Sequence, residues 1–266
     1  MQVDQRRAVR DFYRRFAESY DHLAAASLYK KVYDEITWKL TAPYLPPSGL
    51  VLDAGGGTGH WAIPMARNGL KVVVYDISSE MLQVAVKKAK KEGLRHVISV
   101  AQGDIGDLCF PDRVFDFVLA EGDPISYSAD PEKAVSELAR VLKPGGYISA
   151  GVDNLYSIAS SMLNVENEDL DEIRSFLRSR RVFIKDLGFH AWAFSPENLK
   201  DLFESYGLRV VKIAGKPVLF QGRPESSYLF KDESKLKMLV ELELSLCQDP
   251  VLLGSGGHLH VIARRE

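Results

Sequence analysis

The stretch over residues 49–60 constrains the fold of this chain more than any other. A short apolar run at 50–52 predicts a buried strand, which ends at Asp53 and leads into the turn Gly55-Gly56-Gly57. Glycine allows a backbone with positive φ and lets a ligand lie against the main chain. A helix predicted to begin near Thr58 presents unpaired N–H groups, which attract anionic or polar ligand groups. The stretch therefore predicts a binding loop for a nucleotide-type ligand.

Strands alternate with helices along most of the chain. Apolar runs predict further strands at 71–75, 96–101, 114–120, 147–152, 208–214 and 258–263. Capping residues, prolines and glycines delimit predicted helices at 60–68, 78–93, 130–142, 169–181, 195–207 and 231–247. Because parallel strands need such crossover helices, this order predicts a doubly wound α/β fold with a seven-stranded, mostly parallel sheet.

We expect a single domain over residues 1–266. Residues 1–47 are predicted to form an N-terminal helical cap, since apolar residues recur there every four positions. Residues 48–152 are the predicted cofactor-binding core, and residues 153–193 and 215–256 are insertions on the substrate side. Tyr20 lies near a break in the helical pattern, where its side chain could fold over a ligand.

The composition limits the classes of partner. The chain carries a net charge of −2, whereas a general nucleic-acid binder usually has a strongly basic face. Cys109 and Cys247 form no CxxC pair, which suits a reducing compartment and excludes a cysteine-rich zinc site. Residues 1–7 lack the apolar segment of a signal peptide, and no apolar run reaches the ~18 residues of a membrane span. We therefore expect a cytoplasmic protein without a membrane partner.

The glycine loop allows two interpretations. Residues 57–62 fit the G-x-G-x-x-A pattern of dinucleotide-binding proteins, and Asp76 follows at about the 20 residues expected of a ribose-binding acid. Asp53 distinguishes the two, because a carboxylate beside an anionic pyrophosphate is unfavourable. A carboxylate at this position suits a ligand with a cationic amino group and a sulfonium.

Five short motifs follow one another along the predicted core. They read VLDAGGGTG at 51–59, VYDIS at 74–78, GDI at 103–105, FDFVL at 115–119 and LARVLKPGG at 138–146. In this order they resemble the motifs of the class I S-adenosylmethionine-dependent methyltransferases, and residues 194–208 are similar to that family as well. The resemblance implies a sheet with an antiparallel last strand and S-adenosylmethionine as the cofactor.

The resemblance also implies roles for the residues that contact the cofactor. The backbone at Gly55 and Gly57 would pass close to the methionine part, and Asp53 would bind the amino group through water. Asp76 would accept both ribose hydroxyls, and Asp104 would accept the adenine amino group. The cofactor-binding residues that we expect are Tyr20, Asp53, Gly55, Gly57, Asp76, Ile77, Met81, Gly103, Asp104, Ile105 and Glu121.

Candidate catalytic residues follow the fourth predicted strand. Glu121 is expected to face the methyl group and the acceptor, and Asp123 and Tyr127 come directly after it. The sequence at 123–126 matches the Asp-Pro-Pro-Tyr motif of amino methyltransferases only in part, and therefore does not identify the acceptor. His190, in the first insertion, is a further candidate base because an imidazole titrates near neutral pH.

Asp153 and Asn154 follow the fifth predicted strand. Magnesium-dependent catechol-type O-methyltransferases have an Asp-Asn pair at this place, and Glu121 or Asp123 could complete such a site with hard oxygen ligands. The alternative is a polar turn. The rest of the motif pattern is that of the metal-free family, so we expect no metal.

Methyl transfer is an in-line displacement at a carbon that positive sulfur has already activated. The enzyme must align the reactants, exclude water and sometimes remove a proton. We expect a methyltransferase with a small or medium-sized organic acceptor. The near-neutral charge leaves an RNA or protein acceptor open, and a homodimer is one assembly left open. The alternatives are an NAD(P)-dependent oxidoreductase and a cofactor-binding regulatory protein without turnover.

Overall fold

A central sheet organises the molecule. The structure is a computed structural model, which describes residues 4–163, 169–220 and 232–266. Within these residues the sheet has nine strands, and the central ones are apolar runs buried on both faces. The strands are β1 (Leu50–Ala54), β2 (Lys71–Asp76), β3 (Ile98–Gln102), β4 (Phe115–Ala120), β5 (Leu142–Asn154), β6 (Arg181–Ile184), β7 (Phe189–Phe194), β8 (Leu208–Lys216) and β9 (His258–Arg265).

The strand order is that of a doubly wound sheet. β3, β2, β1, β4 and β5 lie side by side in parallel, and β9 runs antiparallel between β5 and β8. These strands confirm the predicted fold class, including the antiparallel last strand. The carboxyl ends of β1, β2 and β4 meet at one edge of the sheet, which is where ligands bind in folds of this type.

Helices cover both faces of the sheet and its carboxyl edge. They are α1 (Gln5–Phe16), α2 (Tyr20–Ala26), α3 (Leu28–Thr41), α4 (Ala62–Arg67), α5 (Ser79–Lys91), α6 (Pro124–Tyr127), α7 (Pro131–Val141), α8 (Leu155–Met162), α9 (Leu170–Ser179), α10 (Pro196–Glu204) and α11 (Glu233–Leu246). None of the helices in the described ranges is long and apolar enough to cross a membrane.

Local capping sets where the helices begin. The side chains of Ser78, Asp130 and Ser195 each accept a backbone N–H in the first turn of α5, α7 and α10. Proline occupies the first position of α7 and α10, where its missing N–H would be unpaired in any case. These three helix starts are therefore confirmed where the sequence predicted them.

The first insertion contains a hairpin that the sequence analysis did not predict. The predicted helix at 169–181 is α9, which ends earlier because Arg180 has a left-handed backbone with a φ of 57°. β6 and β7 then pair antiparallel, and β7 joins β5 at Asp153 and Asn154, beyond the last pair of β4 with β5. The predicted seven strands are therefore extended to nine among the described residues.

The predicted N-terminal helical segment is divided into three helices. Ser27 ends α2 and caps α3, where its side chain accepts the N–H of Lys30. The apolar face of α3 packs against α11 and against Ala214 of β8, so that α3 is anchored to the sheet edge. The helix predicted at 231–247 is α11, and its predicted first residue, 231, lies outside the described residues.

Candidate active site

A cavity of about 490 Å³ opens at the carboxyl edge of the sheet, between the glycine loop and the N-terminal helices. Eleven of the residues predicted from the sequence line this cavity: Tyr20, Gly55, Gly57, Asp76, Ile77, Met81, Gly103, Asp104, Ile105, Glu121 and Tyr127. They come from separate segments of the chain. Parallel strands end at the same edge, which brings these segments together.

The glycine loop lies against neighbouring backbone and side chains. Gly55 and Gly57 have φ values of 72° and 51°, a region that side chains other than glycine rarely adopt. A Cβ atom on Gly55 would lie 2.5 Å from the Cβ of Pro124, and one on Gly57 would lie 3.0 Å from the Cε of Met81. The absence of side chains therefore leaves the main chain itself as part of the cavity wall.

Asp76 is a buried carboxylate at the end of β2. Its Oδ2 accepts the N–H of Gly57 at 2.9 Å, and its Oδ1 accepts the N–H of Ser78 at 2.8 Å. Burial raises the pKa of Asp76 to about 6, although these backbone N–H groups act in the opposite direction. The carboxylate is thus fixed in orientation at the cavity wall and still has unused lone pairs.

Asp53 lies under the glycine loop and does not line the cavity. Neither of its carboxylate oxygens has a well-formed hydrogen bond within the described residues. Burial, together with the charges of Asp76 and Glu121, raises the pKa of Asp53 to about 7. Since buried acceptors normally have donors, this side chain is suited to a ligand or water that supplies one.

Asp104 is already engaged by the N-terminal cap. Its Oδ2 lies 2.9 Å from the Nε of Arg6 on α1, and its Oδ1 accepts the N–H of Gly106 at 2.6 Å. The contact with Arg6 was not anticipated from the sequence, because the two residues are distant along the chain. It places α1 over the end of the cavity that Asp104 and Ile105 line.

A second contact holds α2 over the glycine loop. Asp21 accepts the hydroxyl of Thr58 at 2.6 Å and the ammonium of Lys88 at 2.7 Å. Tyr20, the neighbour of Asp21, lines the cavity. The first turn of α2 is therefore bonded directly to the loop and to α5.

Glu121 belongs to a fully buried network. Its Oε2 lies 2.6 Å from the Nζ of Lys216 and accepts the hydroxyl of Tyr33 at 3.2 Å. Its Oε1 lies 2.9 Å from the Nδ1 of His260. Lys216 also donates to the hydroxyl of Thr37 at 2.8 Å. The network thus links the ends of β4 and β8 to β9 and α3.

This network determines the protonation of Glu121. Burial alone would raise its pKa, but the charges of Lys216 and His260 outweigh that effect and lower the pKa to about 2. Glu121 is therefore an anion at neutral pH and has little basicity. The sequence analysis did not select Lys216 or His260. In the sequence, the one indication that His260 could lie near the site is its spacing of two residues from His258. This spacing places both side chains on one face of β9.

Asp123, Asp153 and His258 form a cluster next to the cavity. The Nδ1 of His258 lies 3.1 Å from the Oδ1 of Asp123 and 3.7 Å from the Oδ1 of Asp153. Asp123 does not line the cavity, but Gly122 and Pro124 on either side of it do. Burial and the charge of Asp123 raise the pKa of Asp153 to about 7.

The side chain of Asn154 is not part of this cluster. Its amide nitrogen donates to the carbonyl oxygens of Leu253 and Gly256, and its oxygen accepts the N–H of Tyr156. Asn154 thereby caps α8 and holds a neighbouring turn. Within the described ranges, the side chains close enough to bind one metal ion are Asp123, Asp153 and His258, a set that differs from the predicted Asp-Asn pair.

His190 is not brought to the cavity. It lies on β7, where its ring packs against Phe183 with 5.1 Å between the centroids. Its backbone N–H and carbonyl bond to the side chain of Gln5. Burial lowers the pKa of His190. The position of this histidine therefore gives no support to its predicted role as a base.

Comparison with known proteins identifies the family. A family model described as "Methyltransferase domain" matches residues 51–146. The ubiquinone/menaquinone biosynthesis C-methyltransferase UbiE of Nitrobacter hamburgensis is 30% identical over 207 residues, which are 70% of this chain and 81% of that protein. The chain belongs to the class I S-adenosylmethionine-dependent methyltransferases. This membership favours the S-adenosylmethionine interpretation of the glycine loop over the dinucleotide one.

Other methyltransferases match over most of the chain. The tRNA 5-carboxymethoxyuridine methyltransferase of Escherichia coli K12 is 26% identical over 219 residues, covering 81% of this chain and 79% of the relative. Among solved structures, a SAM-dependent methyltransferase from Thermotoga maritima has a TM-score of 0.61 at 20% identity. The alignment covers 97% of this chain and 100% of that one, so the fold is shared throughout. The predicted enzyme class is thus confirmed.

Proposed function

We propose that this methyltransferase binds S-adenosylmethionine in the cavity of about 490 Å³ and methylates a small or medium-sized organic acceptor beside it. Asp76 carries the proposal, because this buried carboxylate lines the cavity and is held by the N–H groups of Gly57 and Ser78. Its remaining lone pairs can accept the two ribose hydroxyls. The cavity volume lies within the range of small-molecule sites.

The other cavity residues suit the remaining parts of the cofactor, which supplies a methyl group activated by positive sulfur. Asp53, which lies behind the glycine loop, would bind the cationic amino group through water, since its buried oxygens lack well-formed hydrogen bonds among the described residues. Gly55 and Gly57 would let the methionine part lie against the main chain. The adenine would lie among apolar and polar residues of the wall, namely Ile77, Met81, Gly103, Asp104 and Ile105, with Tyr20 above.

The acceptor would bind at the carboxyl ends of β4 and β5. Asp123 and Tyr127 follow β4, and the N-terminal cap and the two insertions would complete the walls around them. Glu121 would act through its fixed negative charge, since its low pKa makes it a poor base. The relatives are named for acceptors as different as quinone precursors and tRNA, so the acceptor must be argued from this chain's own residues.

Calorimetric titration with S-adenosylmethionine tests the cofactor site. We expect saturable binding, and we expect Asp76→Ala to raise the Kd roughly 5- to 150-fold, the scale of lost hydrogen bonds to a charged group. Asp171→Ala is the matched control, because Asp171 is exposed on α9 and bonds, among the residues that the structure describes, to Arg174 and the cap of that helix. Equal affinity of the two variants, or no binding by the parent chain, would contradict the proposal.

Turnover separates a methyltransferase from a regulatory protein that only binds the cofactor. The measurement is S-adenosylhomocysteine release from the full chain in the presence of mixtures of small organic acceptors. We expect acceptor-dependent release. Binding of the cofactor without release in any mixture of small amines, phenols, acids and thiols would contradict the proposed acceptor class.

A further inference from the structure

The cluster of Asp123, Asp153 and His258 is assembled from three strands next to the cavity. Asp123 follows β4, Asp153 is the penultimate residue of β5, and His258 is the first residue of β9. Asp123 and Asp153 are 6% and 7% exposed, so two carboxylates are buried around one imidazole. Burying two acids together is unfavourable unless cations or donors compensate them.

The imidazole compensates only part of this charge. Its Nδ1 faces one oxygen of each acid, at 3.1 Å from Asp123 and 3.7 Å from Asp153. The Oδ2 of Asp153 is buried and has no hydrogen-bond partner among the described residues. Because the pKa of Asp153 is raised to about 7, a cation bound beside it would favour its ionised form. One buried acceptor atom next to the cavity therefore lacks a donor that a ligand could supply.

Several tyrosines lie near the imidazole and the two acids. The ring centroid of His258 lies 5.2 Å from that of Tyr33 and 6.3 Å from that of Tyr29. Tyr13 and Tyr127, on α1 and α6, have their pKa raised well above its ordinary value, by burial first and by the nearby Asp123 and Asp153 as well. Their phenols therefore stay neutral, and neutral aromatic faces attract cations.

Building on the methyltransferase function proposed above, we propose that the methyl acceptor is a small amine whose protonated nitrogen donates to the Oδ2 of Asp153. Its positive charge would stabilise the ionised form of Asp153, and the neighbouring tyrosine rings would lie close to it. A neutral hydroxyl acceptor could donate to the same oxygen, but it would bring no positive charge.

A metal ion is the alternative ligand for these three side chains, because their ligand atoms all lie within 4.8 Å of one another. Burial alone would lower the pKa of His258, but Asp123 outweighs it and raises that pKa above its ordinary value. Metal binding would require the imidazole to lose this proton, whereas an ammonium would leave it in place, so the response to EDTA separates the two ligands.

The chemistry of the step follows from this placement. Asp153 takes a proton from the ammonium, which frees the nitrogen lone pair. A nitrogen–carbon bond then forms to the methyl group while the carbon–sulfur bond breaks, and the sulfur keeps the electron pair as a neutral thioether. The product is the methylated amine in its protonated form, because the positive charge passes from sulfur to nitrogen, and the proton held by Asp153 passes to solvent when the product leaves.

Matched probes test the charge requirement. The full chain is incubated with S-adenosylmethionine and with three pairs of equal shape: methylammonium and methanol, 2-phenylethylamine and 2-phenylethanol, and 1,4-diaminobutane and 1,4-butanediol. S-adenosylhomocysteine release is measured with 1 mM EDTA present and absent. We expect at least one amine to be methylated tenfold faster than its alcohol, with no effect of EDTA.

Variants assign the effect to Asp153. Asp153→Asn keeps the shape but removes the charge, and Glu121, Lys216 and the glycine loop are unchanged. We expect its kcat/KM for the responding amine to fall more than tenfold, whereas its Kd for S-adenosylhomocysteine stays within twofold of the parent value. Asp171→Asn, on the exposed face of α9, is the control and should match the parent chain.

The outcomes are distinguishable. No binding of S-adenosylhomocysteine by the parent chain would reject the proposed cofactor site. Binding with equal or faster methylation of the alcohols, or with no methylation of any amine in the set, would overturn the amine acceptor. Loss of activity in EDTA, restored by Mg²⁺ or Mn²⁺, would overturn it in favour of a metal at the same three side chains.

Discussion

The Nζ of Lys216 lies 2.6 Å from the Oε2 of Glu121, and both side chains are completely buried. Lys216 is the last residue of β8 and Glu121 follows β4, so the pair connects strands that are not neighbours in the sheet. Thr37 and Tyr33 on α3 bond to the same two groups. The cavity wall at Glu121 is therefore fixed by one ion pair that also anchors the N-terminal cap.

Removing one partner of this pair leaves a buried, uncompensated charge. We expect Lys216→Met to lower the free energy of unfolding by about 3–5 kcal/mol. Urea denaturation at pH 7 measures this. Arg209→Met is the matched control, because Arg209 pairs with Glu266 at the surface and such exposed pairs contribute about 0–1 kcal/mol. A loss below about 1 kcal/mol for Lys216→Met would show that the ion pair is not a structural element.

Asp53 is expected to make the free protein less stable as the pH rises from 3.8 to about 7. Its pKa of about 7 in the folded chain exceeds its ordinary value of 3.8, so between these values the folded state holds a proton that the unfolded state has lost. The free energy of unfolding therefore falls as pH rises through this window. Each unit of the shift corresponds to about 1.4 kcal/mol.

Asp53→Asn should remove this pH dependence. We expect the variant to be more stable than the parent chain at pH 8, and its advantage to be about 2–3 kcal/mol larger at pH 8 than at pH 5. Urea denaturation at both pH values gives the difference, with Asp171→Asn as the exposed control. An advantage that is the same at both pH values would mean that Asp53 titrates normally. The same variant should bind S-adenosylmethionine more weakly, because the cationic amino group of the cofactor would no longer interact with the carboxylate of Asp53.

The contact of Asp21 with Thr58 and Lys88 is expected to slow cofactor release. Asp21→Ala removes one hydrogen bond from α2 to Thr58 of the glycine loop and one to Lys88 of α5, each contributing about 0.5–1.5 kcal/mol. We expect the rate of S-adenosylhomocysteine dissociation, measured by stopped-flow displacement, to rise several-fold, while the association rate changes less. Glu18→Ala removes the exposed pair with Lys87 and serves as the control. A dissociation rate no faster than that of Glu18→Ala would contradict the role of α2 as a cover.

The features that sequence reasoning predicted are those set by neighbours along the chain. Ser78 caps α5, and Asp76 ends β2, because strand, acid and cap occupy consecutive positions. Arg6 and Lys216 could not be placed this way, since their partners Asp104 and Glu121 come from distant segments that meet only at the sheet edge. Which pairs meet there depends on strand order and on the exact tilt of the cap, and no local pattern encodes either.

The hairpin of β6 and β7 was missed for a different reason. Residues 189–194 alternate in burial as a strand does, yet a charged stretch before them favoured a solvated helix. The helix ends at Arg180, a residue that rarely adopts a left-handed backbone, so the usual glycine signal is lacking. Most residues predicted for the cofactor side, where motifs are local, therefore meet at one cavity, whereas His190, predicted for the acceptor side, does not line it.

Gly55 is expected to be required both by its backbone and by its surroundings. A side chain at a positive φ costs about 1–2 kcal/mol, and a Cβ on Gly55 would also lie 2.5 Å from the Cβ of Pro124. Gly69 isolates the first effect, since it has a φ of 87° with open space where its Cβ would lie.

We therefore expect Gly69→Ala to lose about 1–2 kcal/mol of stability with an unchanged Kd for S-adenosylmethionine. Gly55→Ala should lose more stability and raise that Kd more than tenfold, because the loop must move away from Pro124 and with it the cavity wall. Urea denaturation and calorimetry on both variants check this. If the two substitutions had equal effects on the Kd, close approach at Gly55 would have no part in binding, and the positive φ alone would account for the glycine.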